Sequence, residues 1–255
     1  MQTVLANEKG RIVDVLTIVP LPNDTIRVLC HSRAADRTRE WLDKFIIMEN
    51  ITITDVSSDY VQFLLFDLDP RDEDVLRKHI DTTSTLFEFL SGFPRVFRLA
   101  GRQDSTEQLT DVLTSCGVKL ASANDFEEFR VSKGIPETGA ELTDQYNPLA
   151  AGLSNLISWT KGCYIGQEVI ARLDTYKKVQ RRLVALELDS LPIAPAALLD
   201  EVGDAGTITS CVQNATDGIC RGLGYIKSAS LERQANCYFL RDGEKHFVKI
   251  ADRGA

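Results

Sequence analysis

The stretch Lys161–Arg182, KGCYIGQEVIARLDTYKKVQRR, brings a cysteine, a helix start and a group of basic residues into one short span. Gly166 closes a small-residue turn, and the residues from Gln167 to Leu173 have the apolar spacing of a helix. Nearby cations and unpaired helix N–H groups are what make a thiol reactive, and Lys161 and this helix start would supply both to Cys163. Glu168 in the first turn suits that end of a helix. The same residues also read as a buried structural cysteine beside Tyr164. No histidine lies near in sequence, so a partner base would have to come from the fold.

The basic group follows at once. Arg172, Lys177, Lys178, Arg181 and Arg182 stand against Asp174 alone, in a chain of 255 residues with net charge −8. This local reversal of sign reads in two ways. It is either a surface that captures an anion (a carboxylate, a polyglutamate tail or phosphate) or a solvated segment at a domain junction.

Outward from this stretch, the apolar run GRIVDVLTI at 10–18 holds Asp14. A carboxylate there either faces a cavity, where it could hydrogen-bond an amine or a pterin-like ring, or points to the wet face of a strand. Residues 11–30 read as two strands around the turn Pro20–Asp24, followed by a helix over about 34–47 and a half-buried strand at Ile51, Ile53 and Val56. A second unit reads as strand Tyr60–Leu68, a helix opened by Asp69 and Pro70, and strand Arg95–Leu99. It continues with a helix capped at Asp104 or Ser105 that stops at Gly117, a strand at Val118 and Leu120, and a short helix Ser122–Phe129. After a loop-rich passage, short strands at 183–188, 206–212, 222–227, 236–240 and 246–250 predict a small barrel or sandwich, with a boundary near residue 180.

Apolar residues make up 44% and charged residues 26% of the chain, an ordinary globular composition. The acidic balance argues against nucleic-acid binding by the surface as a whole. No apolar run approaches the length of a membrane span, and MQTVLANEKGR reads as no targeting segment. A cytoplasmic protein with no membrane partner is the expectation. The six cysteines and three histidines are scattered, which fits a reducing compartment and predicts no metal site. The sequence holds no G-x-S-x-G, H-E-x-x-H, P-loop or dinucleotide fingerprint, so the common hydrolase and nucleotide-binding readings lose ground.

KGCYIGQEVIAR at 161–172 resembles the signature of the YgfZ-type folate-binding proteins, relatives of the glycine cleavage T protein, an aminomethyltransferase. KGRIVDVLTI at 9–18, FRVSKGIPETGAELTDQYNPLAAGL at 129–153, VQRRLVALEL at 179–188, GDAGTITSC at 203–211 and GLGYIK at 222–227 resemble other family segments in the same order. The resemblance implies an α+β, multi-domain, T-protein-like ring around a folate cavity, with a small C-terminal β-barrel. Its first domain would be discontinuous and shortened at the amino end (1–57 plus 130–178), its second would be 58–129 and its barrel 179–255. It further implies tetrahydrofolate, in monoglutamate or polyglutamate form, as cofactor, and a role in iron–sulfur cluster assembly or repair with the assembly machinery or client proteins as partners. Carried over residue by residue, Lys161 and Cys163 match the signature's lysine and functional cysteine. Tyr164, Gly166, Gln167, Glu168 and Arg172 complete the folate-contacting signature, with Arg181 and Arg182 as the basic residues after it. Asp14 is the acid that an alternative one-carbon transferase would need, and a non-catalytic folate sensor is a third reading. The chain departs from the family pattern at Ser132 and Ala150, where the pattern has glutamates, and at Val15, where the T protein has a second aspartate.

Overall fold

The computed structural model describes residues 1–80 and 84–251. They divide into two compact units: Met1–Phe45 with Glu127 onward, and Ile46–Phe126.

The first unit opens with an antiparallel sheet in which β2 (Ile12–Pro20) lies between β1 (Gln2–Ala6) and β3 (Ile26–Leu29). Ile12, Val13 and Leu16 of β2 are buried, so the apolar run is the hydrophobic centre of this sheet. Helix α1 (Ala35–Asp43) follows.

In the second unit, β4 (Tyr60–Phe66), α2 (Pro70–His79), β5 (Thr85–Glu88), β6 (Val96–Arg102) and α3 (Thr106–Ser115) pack around Leu65, Leu76, Phe97, Leu99 and Leu109. Its sheet has the order β4-β6-β5. The helix stop at Gly117 is present: Gly117 has φ +79°, and the N–H of Val118 bonds the carbonyl of Leu113 at 3.0 Å. Two expected strands are absent. Residues 50–56 form no ladder although their polarity alternates, because no neighbouring strand accepts their hydrogen bonds and Ile51 and Val56 face solvent. Val118 and Leu120 form none either, since the Val118 N–H is spent on closing α3 and Leu120 is fully exposed. Strand β5 was not foreseen, because it is four residues long and follows a polar run.

Helix α4 (Ala123–Ser132) leads back into the first unit, and α5 (Gln167–Thr175) precedes the barrel. The barrel is closed, in the order β10-β7-β12-β11-β8-β9. Its strands are β7 (Arg181–Leu188), β8 (Ala196–Asp200), β9 (Gly203–Gln213), β10 (Cys220–Lys227), β11 (Cys237–Arg241) and β12 (Glu244–Ala251), with the short α6 (Ser228–Glu232) between β10 and β11. Leu186, Leu198, Ile208 and Phe239 fill the interior. Five of these strands match the expectation. Strand β8 was missed because Ala196-Ala197-Leu198-Leu199 has no β-branched residue and follows a proline break. Among the described residues no helix is long and apolar enough to cross a membrane.

Candidate functional site

The signature forms a turn that delivers Cys163 to the start of α5. Gly166 is the N-cap of α5 with φ +80°. A Cβ on it would lie 2.5 Å from the carbonyl oxygen of Asn7 and 3.0 Å from the Cα of Gly10. Only glycine lets the two backbones approach this closely. The β1–β2 turn it meets is tied by the Asn7 side chain, whose Oδ1 accepts from the N–H groups of Lys9 and Arg11, both at 3.0 Å. Gln167 closes the signature turn on itself: its Oε1 accepts from Tyr164 N at 3.3 Å, and its own N–H donates to Tyr164 O at 3.2 Å. Gly162 meets nothing within 4 Å, so the turn is open on that side.

The side chains of this turn divide by exposure. Cys163 is a free thiol in solvent, which corrects the reading of a buried structural cysteine. It is exposed because the turn leaves the body at Ser158–Gly162 and rejoins it only at Tyr164. Lys161 Nζ sits over the Tyr164 ring, 4.8 Å from its centroid. Glu168 and Arg172 form an i,i+4 ion pair at 2.5 Å on the exposed face of α5.

The basic group is partly neutralised, and by acids other than Asp174. Arg172 is held by Glu168, and Arg181 by Asp204 at 3.3 Å. Lys177 occupies the left-handed region at φ +49°, and the N–H of Lys178 bonds Leu173 O at 3.1 Å, so the helix ends in a glycine-type closure built from a lysine. Cations in this last turn also complement the helix dipole. Arg182 is exposed and has no ion pair among the described residues.

Asp14 faces inward. It is fully buried on β2, which corrects the wet-face reading, and protein groups fill both of its oxygens. Val15 N–H (2.8 Å) and the Thr138 hydroxyl (3.3 Å) donate to Oδ1; His31 N–H (3.3 Å) and the Thr38 hydroxyl (3.2 Å) donate to Oδ2. Burial pushes its carboxyl above the usual range, and these hydrogen bonds oppose the shift.

Residues not singled out from the sequence continue this polar interior. The N–H of Arg33 donates to His31 Nδ1 at 3.1 Å, which leaves Nε2 as the ring's donor, 3.4 Å from Glu137 Oε1. The His31 hydrogen bond and the Arg130 charge hold the Glu137 carboxyl below the usual range against partial burial. Arg130, 2% exposed, spends all five of its N–H donors. Glu127 takes two of them at 2.6 Å each; the others go to Ile135 O, Glu141 and the Ser210 hydroxyl. Glu141, with no exposed surface, accepts from Ser210 and Thr209 of β9 at 2.6 Å each. The tyrosines join the same wall: Tyr146 stacks on Tyr225 of β10 at 3.4 Å between centroids. The spacing of Glu137 and Glu141 after a helix-borne arginine was the available signal. It gave no hint of partners on strands some seventy residues on.

No family model matches the chain. A stretch of 103 residues, 40% of this chain, is 43% identical to a chloroplastic protein of Arabidopsis thaliana that carries the name "putative transferase"; the match spans 24% of that relative's length. Among solved structures, the glycine cleavage system aminomethyltransferase T from Bartonella henselae superposes with a TM-score of 0.80, covering 99% of this chain and 75% of that one at 19% identity. The chain therefore has the fold of aminomethyltransferase T, ending in a closed six-stranded barrel.

Proposed function

We propose that the protein is a tetrahydrofolate-binding factor that assists iron–sulfur cluster assembly or repair, with Cys163 as the thiol that meets the cluster or its carrier. The observation that carries this reading is the exposed, unbonded Cys163 on a turn whose shape is fixed by Gly166 and Gln167. A soft sulfur ligand in solvent suits contact with iron carried by another protein.

The donor set suits a folate. Tyr164 offers an aromatic face and Arg182 a cation to a glutamate carboxylate, with Arg172 and Arg181 beside it shared with Glu168 and Asp204. Bound there, tetrahydrofolate would supply one-carbon or redox chemistry, while the chain's own groups hold and orient it. The fold shared with aminomethyltransferase T supports this assignment. Cytoplasmic location and assembly proteins as partners belong to the same proposal. Calorimetric titration with tetrahydrofolate tests it: saturable binding is expected, and no heat at micromolar protein would contradict it.

A one-carbon transferase is the second reading, favoured by the name of the Arabidopsis relative and by the raised carboxyl of Asp14. It requires Asp14 to meet a substrate nitrogen, whereas all four of its hydrogen-bonding partners are protein groups. Folate-dependent turnover of a lipoyl-bound aminomethyl group that disappears in Asp14→Asn would favour it over the first reading.

A further inference from the structure

The early sheet ends in an open edge at β3. Ile18 of β2 turns its backbone toward Met1: its N–H donates to Met1 O at 2.8 Å, and its carbonyl accepts from the Met1 amino group at 3.0 Å. Its neighbour on the other side is Val28 of β3. Val28, and Ile26 two residues before it, therefore turn their N–H and C=O groups away from β2. Among the described residues no strand lies on that side, and no backbone group bonds them there. The Ile26 and Val28 side chains are exposed beside them. No proline or bulge blunts this edge.

The same chain carries a strand-forming segment that joins no ladder. Five of the seven residues at 50–56, NITITDV, are β-branched. Thr52, Ile53 and Thr54 make no backbone hydrogen bond among the described residues, and Thr54 and Val56 are exposed. The segment and the edge match in one antiparallel register. Setting Arg27 opposite Asp55 places Ile26 against Val56, Val28 against Thr54 and Leu29 against Ile53. Opposite charges then meet, β-branched and apolar residues meet, and the outward groups of Ile26 and Val28 face the backbone of Val56 and Thr54. A slip of two residues either way sets Arg27 against Ile53 or Ser57, and a slip of one turns every side chain to the other face. Two β3 edges paired with each other about Arg27 would oppose like charges.

We propose that copies of this chain associate by strand addition, residues 53–56 of one pairing antiparallel with β3 of another. Main-chain hydrogen bonds supply the attraction, and the alternating side chains fix the register. This surface is independent of the folate reading, since it uses no residue of the signature turn.

Sedimentation velocity of the full-length protein over roughly 1–200 μM tests it, a range that spans weak to moderate affinity. The mass is expected to rise with concentration. Val28→Pro removes an N–H that points away from β2, and Thr54→Pro one that bonds nothing, so each should abolish the association. Arg27→Asp and Asp55→Arg should each weaken it about fivefold or more. Mixing those two charge variants should restore it, because every pairing between unlike copies again sets opposite charges face to face. A contact within one chain would gain nothing from mixing. A monomer throughout the range, association unchanged in either proline variant, or no restoration on mixing would overturn the proposal.

Discussion

Cys163 stands in solvent on a turn closed by the side chain and backbone of Gln167, whereas Asp14 and Arg130 are sealed inside the same unit with their charged atoms bonded to protein. Both regions hold residue types that do chemistry. The sealed region spends them on joining the early sheet, the 127–142 segment and the barrel. The signature turn leaves its thiol unspent. Substitutions in the sealed region should therefore be felt by the fold, and substitutions at the thiol by function alone.

The largest effect is expected at Arg130. Replacing it with methionine strands Glu141 as a buried, unpaired carboxylate, and the loss should be roughly 3–5 kcal/mol in urea unfolding. A loss below ~1 kcal/mol would mean that the network adds little to the joint. Gly166→Ala comes next, because it adds a Cβ at φ +80° against the Asn7 carbonyl. About 1–3 kcal/mol should be lost. Gly162→Ala, with nothing within 4 Å, is the control and should stay within about 0.5 kcal/mol of the parent.

The third prediction concerns acid. The Glu137 carboxyl is held low by His31 and Arg130, so the stability it confers is present above its unfolded-state value, roughly 4.3. It is lost as pH falls through the lower folded-state value. Glu137→Gln should flatten the stability curve between the unfolded-state value and the lower folded-state value, and an unchanged acid slope there in urea titrations would contradict this. The smallest effect is at Lys177, a lysine in the left-handed region. Lys177→Gly should raise stability by about 0.5 kcal/mol, read as a small rise in the thermal midpoint.

Much of the fold was legible because periodicity and punctuation agree locally. The Gly117 stop, the start of α5 at Gln167 and five barrel strands each rest on neighbours in sequence. What was not legible depends on distant partners. Ile51, Ile53 and Val56 alternate like a strand but have no edge to pair with. The site follows the same division. Cys163, Lys161 and Tyr164 were read as candidates from one contiguous motif, and the exposure of the thiol was left open because exposure is set by the turn's departure from the body. The burial of Asp14 depends on Thr38 and Thr138, residues 24 and 124 positions away in the chain, so no local pattern could disclose it. The pairing of Arg181 with Asp204 was hidden for the same reason.

The central claim is that Cys163 works in solvent and not in the core, and Cys163→Ser tests it most directly. In cells lacking the endogenous protein, wild type should restore [4Fe–4S] enzyme activity and the serine variant should not, while its unfolding midpoint and tetrahydrofolate affinity stay unchanged. Full rescue by the serine variant would contradict the claim.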